Sequence, residues 1–222
     1  MNEIQSNLEA IKGQLPENCT LVAVSKTKPS SVILTAYEAG QRHFGENKVQ
    51  ELTKKAEELP KDIQWHMIGH LQRNKVKYIA PFVHLIHGVD SLKLLKEINK
   101  QGEKVNRVIH CLLQVHIAEE ETKFGFDEKE LVNLLGSEEF ASMKYVQING
   151  LMGMATFTED TDQVRREFKS LKNLFEQFKN SDHAHLQMNT LSMGMSGDYL
   201  LALEEGSNMV RIGSSIFGER NY

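Results

Sequence analysis

Residues 21–29 read LVAVSKTKP, an apolar run that ends on Lys26 and leads into a helix-like stretch. The run has the length and composition of a buried β-strand, and the proline suits the first turn of a helix. A lysine where a buried strand ends lies at the mouth of a fold, where desolvation activates such amines as nucleophiles toward carbonyl compounds. The alternative is an ordinary strand-end lysine that points into solvent.

The same alternation of strand and helix continues along the chain. Amphipathic helical stretches separate β-type runs near residues 20–26, 43–46, 64–69, 84–89, 108–117, 145–154, 185–195 and 208–213. Strands joined through helices run parallel. No Gly-, Ser- or Pro-rich linker interrupts the alternation, so we predict one domain over residues 1–222.

Eight strand–helix units in 222 residues predict a (β/α)8 TIM-type barrel, with a doubly wound open sheet as the competing arrangement. In a closed barrel the last strand pairs with the first. Lys26 and residues 209–215 then become neighbours despite their distance in sequence. The chemistry of such barrels gathers at the C-terminal ends of the strands.

The composition is that of a soluble globular protein, with 40% hydrophobic and 25% charged residues. A formal net charge of −4 offers no electrostatic footprint for nucleic acid or an anionic membrane. The two cysteines, Cys19 and Cys111, lie far apart without zinc-ligand spacing or a disulfide framework. The sequence shows no signal peptide or membrane span, so we expect a cytoplasmic protein.

Two turns rich in small residues predict a phosphate site. The loop after the seventh strand reads MGMSGD (193–198), and the turn after the eighth reads IGSS (212–215). Phosphate binds to barrels of this type preferentially at these two loops, where backbone N–H groups and serine hydroxyls suit a dianion. For either loop alone, a helix cap at Ser196 and a turn glycine at Gly213 are the simpler interpretations. The two loops together favour the phosphate site.

Arg211 lies within the otherwise apolar eighth strand. A buried guanidinium needs hydrogen-bond acceptors, because an unpaired buried charge is strongly destabilising. Its partner is either a carboxylate or a ligand atom with a lone pair.

Several motifs together resemble those of the pyridoxal phosphate homeostasis protein family. They are VAVSKTKP (22–29), FGEN (44–47), HMIGHLQRNK (66–75), GLM (150–152), MGMS (193–196) and RIGSSIFG (211–218). That family is similar to the isolated barrel domain of alanine racemase and ornithine decarboxylase, the fold-type III proteins that bind pyridoxal 5′-phosphate (PLP). The resemblance covers nearly the whole chain.

The resemblance implies a PLP site. Lys26 would carry the cofactor as an internal aldimine, while Ser196, Gly213 and Ser214 would hold its phosphate. Arg211 would face the pyridine nitrogen. Because arginine keeps its proton, it leaves the cofactor a weaker electron sink than a carboxylate partner would. Family members often carry threonine at the position of Ser214, so the hydroxyl is retained.

Two further residues are assigned to the cofactor. Asn47, at the end of strand 2, is expected to reach the ring oxygen, and Met152, after strand 6, to pack against the ring face. A turn asparagine and a core methionine are the alternatives.

Two histidine pairs have spacings that can bind metal, but we predict no metal site. His66 is expected on a strand and His70 in a loop, and no nearby carboxylate completes a site with His183 and His185. Gln72, Asn74 and Lys75 form a polar rim beside the cofactor or a helix N-terminus, with ordinary solvated helix residues as the alternative.

Three functions are open. We favour a PLP-binding protein that buffers or delivers the cofactor to apo-enzymes without turning over a substrate. A slow PLP-dependent amino-acid racemase is the second, and a Schiff-base aldolase or other phosphate-binding barrel without PLP is the third. A racemase of this fold type needs a second base, usually a tyrosine from another domain across a dimer, and the chain ends at Tyr222. We therefore expect a monomer without catalytic residues.

Overall fold

The eight predicted strands form a closed parallel barrel in which each strand pairs with its neighbours in sequence order. The computed structural model describes residues 2–120, 124–181 and 183–219. The strands are β1 (Thr20–Val24), β2 (His43–Glu46), β3 (Gln64–Met67), β4 (Leu85–Val89), β5 (Ile109–Gln114), β6 (Val146–Met152), β7 (Leu186–Met195) and β8 (Met209–Ile212). The barrel prediction is confirmed, and the open doubly wound sheet is wrong.

Helices surround the barrel. They are α1 (Glu3–Lys12), α2 (Ser30–Glu38), α3 (Val49–Glu58), α4 (Val76–Ile79), α5 (Leu92–Lys104), α6 (Glu128–Leu135), α7 (Glu138–Ala141), α8 (Thr161–Phe178), α9 (Tyr199–Glu204) and α10 (Ser214–Phe217), with a 3-10 turn at Arg73–Lys75. Within the described ranges, no helix combines the length and the apolar character that a membrane span requires.

The longest helix, α8, shows how the sequence forms these elements. The Asp160 side chain accepts hydrogen bonds from the backbone N–H groups of Asp162 and Gln163, which would otherwise lack partners at the helix start. Apolar residues at helical spacing, such as Phe168 and Leu171, are fully buried. The helix therefore packs its apolar stripe against the outside of the barrel.

Strands β1 and β8 close the barrel. Their register pairs Val22 with Arg211 and Ala23 with Ile212. Lys26 follows β1, and residues 213–215 follow β8 at the same end of these two paired strands. The predicted neighbourhood of Lys26 and residues 209–215 is therefore present.

The inner face of the barrel contains a small apolar cluster. It consists of Val22, Leu85, Leu112, Met152 and Met209. Paired residues of neighbouring parallel strands point to the same face of a sheet. Since Val22 pairs with Arg211, and Ser192 pairs with Met152 and Met209, Arg211 and Ser192 share the inner face with this cluster.

Candidate functional site

Lys26 lies in a tight turn at the C-terminal end of the barrel, two residues beyond the end of β1. The residue after it, Thr27, has a φ of 66°, a conformation that β-branched residues rarely adopt. The Thr27 N–H donates to Glu51 Oε1 at 2.6 Å, and the Lys28 N–H donates to the Ser25 carbonyl at 3.1 Å. These bonds hold the backbone on both sides of the half-buried Lys26.

A buried ion pair between α3 and β2 supports this turn. Lys55 Nζ lies 2.8 Å from Glu46 Oε1 and 2.7 Å from Glu51 Oε1, and it donates to the Ser25 carbonyl at 2.9 Å. The Ser25 hydroxyl donates to Glu46 Oε1 at 2.5 Å. Lys55 therefore connects Ser25, the residue before Lys26, with Glu51, whose carboxylate binds the Thr27 N–H.

Sequence reasoning missed this ion pair. The side chains of Lys55 and Glu46 are only 7% and 0% exposed. Burial raises the pKa of Glu46, and the neighbouring Lys55 opposes that rise. In the sequence, the sign of a buried ion pair was a carboxylate at the end of the short strand β2. Its partner, Lys55, lies on a different element, α3.

The two predicted phosphate loops meet. The Gly213 N–H, after β8, donates to Ser196 Oγ, after β7, at 3.2 Å. A Cβ atom on Gly213 would lie 3.2 Å from Val24 Cβ, so the same turn also packs against the end of β1. Ser214 is exposed at the start of α10. The structure thus brings the Ser196 hydroxyl, the Gly213 backbone N–H and the end of β1 together.

Arg211 is buried beneath these loops and held by neutral acceptors. Its Nη1 donates to the Ser192 carbonyl at 2.9 Å and to Ser192 Oγ at 2.6 Å, and its Nη2 donates to the Gly153 carbonyl at 3.0 Å. Burial lowers the pKa of Arg211 to about 10, and the negative charge of Asp198 opposes that effect. The guanidinium therefore stays charged at neutral pH.

A chain of hydrogen bonds runs from Arg211 down the inside of the barrel. Ser192 Oγ lies 3.2 Å from His87 Nδ1, and His87 Nε2 lies 2.8 Å from His66 Nδ1. His66 Nε2 in turn lies 3.0 Å from His43 Nδ1. Burial lowers the pKa values of His66 and His87 well below the usual value, so both imidazoles are neutral.

Asn47 and Met152 differ in how they are placed. Asn47 is half-buried directly after β2, where a Cβ atom on Gly69 would come within 2.6 Å of its carbonyl oxygen. The loops after β2 and β3 therefore touch. Met152 is the last residue of β6 rather than a residue after it, and it is fully buried in the small apolar cluster. Strand pairing continues through Met152, which corrects its predicted position.

The segment from His66 to Lys75 leaves β3 and forms part of the same end of the barrel. His66 lies on the strand and His70 in the following loop, as predicted. His70 Nδ1 lies 3.0 Å from Asp90 Oδ2, and the His70 ring stacks on Phe124 at 4.6 Å. The segments after β3 and after β4 line a cleft of about 560 Å³.

Comparison with known proteins adds a family context to this geometry. The family model described as "Alanine racemase, N-terminal domain" matches residues 1–221. The pyridoxal phosphate homeostasis protein of Schizosaccharomyces pombe is 40% identical, over 99% of this chain and 94% of that protein. The protein of the same name from Aquifex aeolicus is 42% identical, over 93% and 90%.

A solved structure shows the same fold. PipY of Synechococcus elongatus, determined with PLP bound, superposes with a TM-score of 0.88 at 35% identity. The match covers 97% of this chain and 100% of PipY.

Proposed function

This chain belongs to the pyridoxal phosphate homeostasis protein family, and from that membership we propose that it binds PLP at the C-terminal end of its barrel, attached to Lys26. The observation that carries the proposal is the hydrogen bond from Gly213 to Ser196 beside the end of β1. It joins the two loops that suit a phosphate group next to the strand that leads to Lys26. The related PipY was solved with PLP bound.

The residues present fit this cofactor. The phosphate of PLP needs several hydrogen-bond donors, and Ser196, Gly213 and Ser214 offer hydroxyl and backbone N–H groups. The pyridine nitrogen has a lone pair, and Arg211 is a donor that keeps its proton. Bound PLP supplies an aldehyde carbon that primary amines attack and a ring that withdraws electrons. Lys26 supplies the amine.

The chain's own residues orient the cofactor and limit its chemistry. Three neutral acceptors fix the position of Arg211. Because arginine keeps its proton, it can donate a hydrogen bond to the ring nitrogen without protonating it. Electron withdrawal by the ring stays weak, which disfavours carbanion formation. We assign Asn47 to the ring oxygen and Met152 to the apolar layer beneath the ring. This set of roles suits storage and delivery of PLP by one domain in the cytoplasm, without turnover of a substrate.

The visible absorption spectrum tests the proposal. Added PLP is expected to produce a visible band that borohydride removes, with the cofactor then fixed to the protein. A colourless protein in the presence of PLP would support a phosphate-binding barrel that does not use this cofactor.

Loss of a phosphate-binding hydroxyl is expected to weaken PLP affinity. Ser196→Ala and Ser214→Ala each remove one charge-assisted hydrogen bond, at a cost of about 1–2 kcal/mol, or roughly 5- to 30-fold in Kd. Because both hydroxyls serve one dianion, the double variant is not expected to show the sum of the two effects. Spectroscopic titration with PLP measures these changes.

Ser215→Ala is the matched control, because this exposed neighbour in α10 has no assigned role. Pyridoxal, which lacks the phosphate, is expected to bind far more weakly than PLP. Equal affinities for pyridoxal and PLP would mean that the phosphate site lies elsewhere.

Amino-acid racemisation is expected to be slow, below about 1 s⁻¹, while bound PLP passes to an apo-enzyme. The physical reason is the weak electron withdrawal that Arg211 imposes on the ring. Deuterium exchange at the α-carbon of L-alanine measures racemisation, and recovery of apo-enzyme activity measures delivery.

Turnover at the rate of ordinary enzymes would contradict the storage role and support the racemase alternative. If the apo-enzyme recovers activity no faster with this protein than with free PLP, the protein buffers PLP but does not deliver it.

A further inference from the structure

Three histidines meet at the N-terminal end of the barrel, opposite Lys26. His43 is the first residue of β2, His66 lies in β3, and His84 immediately precedes β4. The ring centroids of His43 and His66 are 5.2 Å apart, those of His66 and His84 5.2 Å, and those of His43 and His84 5.6 Å. One ring nitrogen from each histidine lies within 4.8 Å of the other two.

We propose that His43, His66 and His84 bind a divalent transition-metal ion of the Zn²⁺ type. Three imidazoles that leave one position for water form a common zinc donor set. Sequence spacing did not predict this site, because each histidine lies on or beside a different strand. Closure of the barrel places β2, β3 and β4 side by side. The proposal does not depend on the assignment of a PLP site.

The distance between two of the candidate ligand atoms already approaches that of a metal centre. His43 Nδ1 and His66 Nε2 are 3.0 Å apart. Two nitrogens bound to one tetrahedral Zn²⁺ at about 2.0–2.1 Å are about 3.3 Å apart. A small outward rotation of the rings therefore makes room for the ion, and the proton between the two nitrogens moves to the other nitrogen of the imidazole that carries it.

A neutral imidazole has one ring nitrogen with a free lone pair, which is the form in which histidine binds metal. The 3.0 Å hydrogen bond between His43 Nδ1 and His66 Nε2 requires that one of these two nitrogens is an acceptor with such a lone pair.

Hydrogen bonds behind His66 orient it as a ligand. When Nε2 binds the ion, the His66 proton lies on Nδ1 and is donated to His87 Nε2 at 2.8 Å. The His87 proton then lies on Nδ1 and is donated to Ser192 Oγ at 3.2 Å. Such outer partners fix the tautomer and the ring orientation of metal-binding histidines. Every imidazole stays neutral, so binding releases no net proton.

The test uses the full-length protein without an affinity tag, freed of metals with a chelator and titrated with Zn²⁺ by calorimetry. We expect one ion per chain with a Kd tighter than about 10 µM. A hundredfold excess over Kd is expected to raise Tm by roughly 5–10 °C. Co²⁺ in place of Zn²⁺ is expected to give the visible absorption of a four-coordinate site.

His43→Gln and His84→Gln are each expected to weaken Zn²⁺ binding by about tenfold or more, since each removes one of three ligands. His66 is fully buried, so the changes are made at the other two members of the cluster, which are only half-buried. The double variant His183→Gln/His185→Gln is the control and is expected to bind normally. A Kd weaker than about 10 µM in the wild-type protein, or unchanged binding in both single variants, would overturn the proposal.

Discussion

Lys26→Ala is expected to abolish covalent attachment of PLP while the barrel stays folded. Lys26 leaves the end of β1 beside the turn in which Gly213 contacts Ser196, so its amine is the one assigned to the cofactor's aldehyde. The half-buried side chain lies outside the packed interior, so its loss is expected to cost no more than about 1 kcal/mol of stability. The variant should still bind PLP noncovalently, through the phosphate loops.

Borohydride reduction and peptide mass spectrometry measure this attachment. In the wild-type protein the adduct is expected on the peptide that contains Lys26, and in the variant it is expected to be absent. Lys75→Ala, a change in the 3-10 turn that follows β3, serves as the control and should keep the adduct. An adduct found mainly on Lys28 or Lys75 would refute the assignment.

Lys55→Met is expected to destabilise the protein by about 3–5 kcal/mol, because it leaves Glu46 as a buried carboxylate without its cation. Glu46 Oε2 has no hydrogen-bond partner among the described residues, so the carboxylate depends on contacts to Oε1. Glu46→Gln is expected to cost less, because Lys55 keeps Glu51 as a counter-ion. Urea unfolding measures both effects.

Lys54→Met is the matched control for Lys55→Met. Its side chain is 76% exposed and pairs with Glu58 at 3.9 Å, an arrangement worth less than about 1 kcal/mol. The double variant Glu46→Gln/Lys55→Met is expected to cost less than the sum of the single changes, because no lone buried carboxylate remains. If Lys55→Met were as mild as Lys54→Met, the ion pair would not support the Lys26 turn.

The same ion pair connects stability with cofactor binding. Lys55 binds the Ser25 carbonyl, and Glu51 binds the Thr27 N–H, so the network fixes the residues on both sides of Lys26. Where Lys55→Met remains folded, PLP attachment is therefore expected to weaken as well. Spectroscopic titration at low temperature separates this effect from unfolding.

The sequence by itself predicted the barrel, with an open sheet as the competing arrangement, and placed the candidate cofactor residues at the C-terminal ends of the strands. Alternating strand and helix periods report local burial, and eight such units leave few ways to bury every strand on both faces. Closure of the barrel pairs β8 with β1 and brings Val24, at the end of β1, beside Gly213. Met152, which was expected after strand 6, is instead the last residue of β6.

Only the tertiary structure decided which side chains meet across the barrel. Glu46 and Lys55 lie on different elements, and His43, His66 and His84 lie on or beside three successive strands. Strand register and barrel closure bring such residues together, and a one-residue shift in register would turn a strand's inward-facing side chains outward. A hydrophobic pattern encodes which residues are buried, but the lateral partners of a buried charge or imidazole depend on contacts between distant segments.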